Sequence, residues 1–208
     1  SACLVGSEMC IRDRVDVGVA PPSFDPGAGP SSLPAFAAFS FGYPHFVGMS
    51  QYGALGRALA GQNYKTILQA YYQNFYFGGV CDWNRTIKVR YPDGTEEVMR
   101  LEEDYLMGLG EMPSTWPLEA LKAQVVASRS YALNYVMRQG YICTTENCQV
   151  FLSKGAKRGT PWETAVRQTC GEVMLYGGMP VEAFYAASFG GYSKLNSDVW
   201  GTSPLPYL

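Results

Sequence analysis

The sequence predicts an α+β domain in which helices and antiparallel hairpins mix around one main core. Three observations lead there. Helical and β-rich stretches interleave without the βαβ rhythm of a parallel sheet. From residue 35 onward, glycine and proline punctuate the chain at regular intervals. With 208 residues the chain can bury one sizeable core but is short for two.

Element by element, the apolar run 36–41 suits a buried strand. Ser50 stands where it can cap a helix running to Ala60, with Leu55 and Leu59 one turn apart and Gly61 as the stop. A second helix is expected over 63–72. The runs 85–91 and 95–101 flank Pro92-Asp93-Gly94, a turn sequence, and read as a hairpin. Pro117 opens the longest helix, because its fixed φ suits the first helical position; Glu119 follows in the first turn, and the end falls before Gly140. Thr160 and Glu163 have the spacing of a capping box around Pro161 and open a short helix to about Gln168. The runs 171–176 and 180–188 read as two strands of a hairpin across Gly177-Gly178.

Composition narrows the function classes. The chain carries 16 Lys+Arg against 18 Asp+Glu, a net charge of -2, so it has no basic field for a nucleic-acid partner. No run approaches the roughly 18 apolar residues of a membrane span. Aromatic residues make up 14% and charged residues 16%, with 15 Tyr and 10 Phe. That balance argues against disorder and leaves polar-tipped aromatics of the kind carbohydrate-handling surfaces use; a Tyr-rich core is the plainer alternative.

The first 34 residues stand apart. Residues 4–13 (LVGSEMCIRD) have neither helical nor strand period and resemble a translated sequencing-library adapter joined to a metagenomic read, so 1–14 are left out of the fold reasoning. Residues 15–34 hold five prolines, at 21, 22, 26, 30 and 34, and read as a linker. The domain is then 35–208, with any signal sequence missing from the fragment.

The stretch 105–133, YLMGLGEMPSTWPLEALKAQVVASRSYAL, resembles the signature block of the SpoIID/LytB family. It is joined by CQVF at 148–151, AV at 165–166, TCGEVM at 169–174, PVEAFYAASFGGYS at 180–193, and Val199-Trp200 leading to Pro206-Tyr207-Leu208. A further family block, usually GHGVGMSQYGA, reads here PHFVGMSQYGA over 44–54. Three departures stand out. The His45 block precedes the Glu111 block, whereas in SpoIID it follows. Pro44 and Phe46 replace the glycines beside the histidine, and their bulk is expected to narrow the groove. The chain also stops at 206–208 where members continue, as a domain truncated at its C-terminus would.

The resemblance implies a SpoIID-like fold and a bacterial cell-wall protein, extracytoplasmic in the envelope or secreted, acting on peptidoglycan glycan strands. Its two namesakes imply two activities: a lytic transglycosylase of sporulation, and a non-catalytic enhancer of an N-acetylmuramoyl-L-alanine amidase, which would make such an amidase a partner. Neither needs a cofactor.

Glu111 is the candidate catalytic residue. It lies in a Gly-rich, apolar neighbourhood before Pro113, where desolvation can raise its pKa toward that of a general acid. A lytic transglycosylase needs only one such group, without the second carboxylate of ordinary glycosidases. The positive end of the helix after Pro117 opposes the shift but fades within about one turn.

Arg129 falls near the centre of the helical arc carrying Leu118, Leu121, Val125, Ala132 and Val136, so it needs a buried partner. Glu111, Glu172, Glu182 and Asp198 are the candidates for an ion pair, and substrate contact is the other reading. His45, the only histidine, is a groove contact or a hydrogen-bonded structural residue. Cys143 and Cys148 are expected to form a disulfide in preference to a zinc half-site, since residues 141–149 contain no histidine to complete the family's His and two Cys; two free thiols are the remaining alternative. Cys170 reads as buried and inert. The turn containing Ser188, Gly190, Gly191 and Ser193 offers hydroxyls and close backbone approach for a glycan. Ser50, Gln51, Gln149 and Tyr185 join it through the family match. Trp116, Trp162 and Trp200 read as core anchors before sugar platforms.

Overall fold

The computed structural model describes residues 45–189 and 192–208. The expected strand over 36–41, the adapter-like segment, the linker, Gly190 and Gly191 lie outside the described residues. The described chain is α+β: small sheets and short helices surround one long helix.

That helix, α3 (Leu118–Gln139), starts one residue after Pro117 and ends at Gly140, whose φ of 81° lets its N–H close onto the Val136 carbonyl at 2.8 Å. Its residues from Ala123 to Leu133 are buried without a break. A helix with no polar face belongs in the interior, and α1 (Gln51–Leu59), α2 (Tyr64–Gln69) and α4 (Pro161–Gln168) pack around it. Ser50 caps α1 by accepting from Gly53 N at 3.0 Å. At α4 the expected capping box does not form. Glu163 accepts from Gly159 N at 2.6 Å, but the Thr160 hydroxyl turns back to donate to the Lys157 carbonyl, also at 2.6 Å.

Among the described residues, three sheets flank the helices. Strands β3 (Thr86–Arg90) and β4 (Glu96–Arg100) form the hairpin across 92–94, and β5 (Ile142–Cys143) adds to β3 in parallel. Strand β2 (Tyr76–Gly78) pairs with β6 (Val173–Tyr176), which turns at Gly177-Gly178 into β7 (Met179–Pro180). The expected second strand over 180–188 is corrected here. After Val181, whose N–H still donates to the Met174 carbonyl at 2.9 Å, the chain leaves β6, and Tyr185–Ala186 form β8, parallel to β1 (Met49–Ser50) in a separate sheet. A short helix, α5 (Asn196–Trp200), follows.

Between β4 and α3 the chain makes a π-helical turn (Leu101–Tyr105) and a 3-10 turn (Leu106–Gly108). The π-helical turn supplies the partner of Arg129. Glu102, which was not among the four candidates, accepts two parallel bonds from the guanidinium at 2.7 Å each, both side chains being buried. Arg129 also donates to the Glu172 carbonyl at 3.0 Å, and Glu102 accepts from Gly171 N at 3.1 Å, so no buried charge is left unmet. Cys170 is likewise corrected: it is not an inert thiol but is bonded to Cys81, with Cα atoms 4.9 Å apart across 89 residues of sequence. Cys143 and Cys148 form a second disulfide, with Cα atoms 5.6 Å apart.

Candidate active site around Glu111

Two backbone approaches build the site. The strip 150–152 runs antiparallel beside 108–110: Gly110 N donates to the Val150 carbonyl at 2.8 Å and Leu152 N to the Gly108 carbonyl at 2.9 Å. A Cβ at Gly108 would stand 2.4 Å from the Ser153 carbonyl oxygen, so only glycine admits this closeness. The second approach is β1 beside β8. Gly48, at φ 79°, lies where a Cβ would be 1.9 Å from the Phe184 carbonyl oxygen, and Met49 N donates to that oxygen at 3.0 Å.

These two approaches converge on the Glu111 carboxyl. Its Oε1 accepts from Val150 N at 2.7 Å and from the Tyr185 hydroxyl at 2.9 Å. Both donors fall on Oε1, which leaves Oε2 to carry and deliver a proton. Behind Tyr185 stands a line of polar side chains. Gln149 Nε2 donates to the Tyr185 hydroxyl oxygen at 2.9 Å and to the Ser128 carbonyl at 3.2 Å, while Gln149 Oε1 accepts from the Tyr105 hydroxyl at 2.8 Å. On the other flank, Gln51 Nε2 donates to the Glu111 backbone carbonyl at 3.1 Å and to Gln124 Oε1 at 3.3 Å; Gln124 in turn donates to Ser128 Oγ at 3.0 Å. Gln124, Ser128 and Gln149 are buried, and with their bonds made they act as a rigid frame.

Burial raises the Glu111 pKa above the ordinary carboxylate range, against the opposing pull of the Val150 N–H, the Tyr185 hydroxyl, the Gln51 amide and the charge of Lys157. Lys157 is itself buried and donates to the Met112 carbonyl. Burial, with the Glu111 charge next in effect, pushes the Tyr105 and Tyr185 hydroxyls well up, so both remain donors at neutral pH. Burial lowers His45, partly offset by a hydrogen bond to the Tyr185 backbone, so the imidazole is neutral there; its Nδ1 accepts from Val47 N at 3.1 Å.

Glu111 opens onto a cleft of about 470 Å³ lined also by His45, Gln51, Tyr185, Trp200 and the loop residues Glu146 and Asn147. Gln149 lies beneath it. Ser50 is buried as a helix cap, and Arg129 is buried against Glu102; neither is on the cleft wall. Ser188 is buried with an Oγ that has no hydrogen-bond partner among the described residues, and Ser193 is part-exposed; neither is among the cleft's lining residues. The expected narrowing by Phe46 is corrected. Its backbone takes the positive φ of 62° where the family pattern has glycine, and its ring turns to Phe189 (centroids 6.4 Å) and Lys194, away from the lining of the cleft. Among the described residues no group of three or more His, Cys, Asp or Glu is placed to hold a metal ion.

Sequence reasoning missed several participants. The Val150 N–H has no side-chain signature. Gln124 and Ser128 carried one, being polar residues four apart on an otherwise Ala- and Val-rich helix. Trp200 was read as a core anchor; Trp162 is one, fully buried with its indole N–H donating to the Leu106 carbonyl at 2.8 Å, but Trp200 is 42% exposed on the cleft.

Part of the same sequence is similar to known proteins. The family described as SpoIID, Stage II sporulation protein, matches residues 93–176, which hold Glu111, Arg129 and Gln149. The chain is 41% identical over 102 residues to the amidase enhancer of Bacillus subtilis, a match covering 47% of this chain and 13% of that protein. It is 32% identical over 126 residues to stage II sporulation protein D of the same organism, covering 51% and 36%, and 32% identical over 142 residues to an uncharacterised protein of Brachyspira hyodysenteriae, covering 64% and 38%. The matched part is thus well under half the length of each relative. These matches support a SpoIID-family region over residues 93–176 of the chain.

Proposed function

We propose that the chain is a peptidoglycan lytic transglycosylase in which Glu111 serves as both acid and base. The observation that carries this reading is the held carboxyl: Oε1 bound by Val150 N and the Tyr185 hydroxyl, its pKa raised by burial, lining a cleft of about 470 Å³. Protonated Glu111 gives its proton to the glycosidic oxygen as the bond from that oxygen to muramic acid C1 breaks. The C6 hydroxyl of the same sugar then bonds to C1, and its proton passes to the Glu111 carboxylate. The ring closes as a 1,6-anhydro sugar, no water is consumed, and the acid is regenerated.

The family and the names of its relatives support a role at the cell wall. Two disulfides among the described residues support an extracytoplasmic setting, where such bonds persist. A second reading has its own support in the 41% identity to a protein named amidase enhancer: a wall-binding module that raises the activity of an amidase without cutting glycan itself.

Glu111→Gln tests the choice. It keeps size and the acceptor for Val150 N but removes the proton, so glycan cleavage is expected to fall by about 10³-fold or more while binding of peptide-free strands persists. Undiminished cleavage by the variant would refute Glu111 as the acid.

A further inference from the structure

The geometry points to Trp200 as a stacking platform for one pyranose ring of a β-linked N-acetylhexosamine chain, beside His45 and Phe184 in the cleft. This inference rests on the glycan-cleaving reading above and adds to it the residue that seats the sugar.

Trp200 ends α5, held there by Gly201 in the left-handed conformation at φ 64°. Its ring packs against Phe184 (centroids 4.7 Å) and His45 (5.2 Å), and those two meet at 6.1 Å. The three aromatics therefore brace one another, and Trp200, still 42% exposed, lines the same cleft as Glu111. Phe184 directly precedes Tyr185, whose hydroxyl holds Glu111, so the corner and the carboxyl share one rigid segment.

The chemistry of the corner selects its ligand. With equatorial substituents, a pyranose presents axial C–H groups on its face and hydroxyls at its rim. The face suits an aromatic ring, and the rim needs polar partners. Burial favours the neutral imidazole of His45, so the three aromatics themselves offer no fixed charge. Asn147 and Glu146, exposed in the same cleft, supply an amide and a carboxylate for hydroxyl and acetamido groups. An aromatic surface and polar groups in one cleft are what a ring lying flat on Trp200 requires.

The test uses the full chain carrying Glu111→Gln to prevent turnover, with the N-acetylglucosamine tetramer and peptide-free glycan strands as probes in calorimetry and tryptophan fluorescence. Trp200→Ala should weaken tetramer binding about tenfold or more, and Trp200→Phe should weaken it less while abolishing most of the fluorescence change on binding. If Trp200→Ala fails to fold, the fluorescence response of Trp200→Phe decides. Binding and fluorescence unaltered in both variants would overturn the platform and leave the glycan reading standing. Failure of the parent protein to bind either probe would overturn that reading and the platform with it.

Discussion

The Tyr185 hydroxyl donates its proton to Oε1 of Glu111 at 2.9 Å, across 74 positions of sequence. Its own oxygen accepts from Gln149 Nε2 at 2.9 Å, which fixes the direction of donation. Tyr185 thereby stabilises the carboxylate form and fixes which oxygen can bear a proton.

Tyr185→Phe should raise the Glu111 pKa further, because a donor to the charged form is lost. The alkaline limb of the pH–activity profile should move to higher pH, with a fall in kcat of about tenfold from the less restrained carboxyl. A fall in kcat with the limb unmoved would assign Tyr185 to packing alone.

The two disulfides should separate stability from activity. In the chain-entropy account, a crosslink across 89 residues is worth about 4.5 kcal/mol and one across five about 2 kcal/mol. Replacing Cys81 and Cys170 by serine should therefore lower Tm more. Replacing Cys143 and Cys148 should lower activity more, since Cys148 lines the cleft and precedes the Gln149 and Val150 that hold the site. Calorimetry and turnover on the two double variants check both halves; the reverse ranking would break the assignment.

Glu111→Gln should stabilise the fold at neutral pH. Burial sets the folded-state pKa of Glu111 above its value in the unfolded chain, so folding binds the proton. That contribution is complete below the unfolded value and is lost as pH rises through the folded pKa. The Tm advantage of the glutamine variant should thus be largest near pH 7 to 8 and shrink toward pH 4. A constant offset across that range would contradict the raised pKa.

Much of this was legible from local chemistry. Ser50, Gly61, the turn at 92–94 and Gly140 mark the ends of their elements because caps and turns are made by residues a few positions apart. Glu111 was legible from its neighbourhood together with the family block. Interactions set by tertiary packing were not. Glu102 sits in a π-helical turn that no periodicity announces, so its pairing with Arg129 could not be chosen over four other carboxylates. Residues 181–188 carry the apolar composition of a strand, yet Gly48 lets β1 approach so closely that Tyr185 and Ala186 pair with it instead of extending the hairpin. Trp200 has the composition of a core residue and the position of a wall.

The most direct measurement of the central claim is mass spectrometry of glycan strands digested by the unmutated full-length protein in ¹⁸O-labelled water. If Glu111 acts as acid and then base on the C6 hydroxyl, the products end in 1,6-anhydromuramic acid and carry no solvent oxygen, because ring closure takes the place of water. Reducing ends labelled with ¹⁸O would mean hydrolysis, and uncut strands alongside an accelerated amidase would mean an enhancer; either result would contradict a lytic transglycosylase built on Glu111.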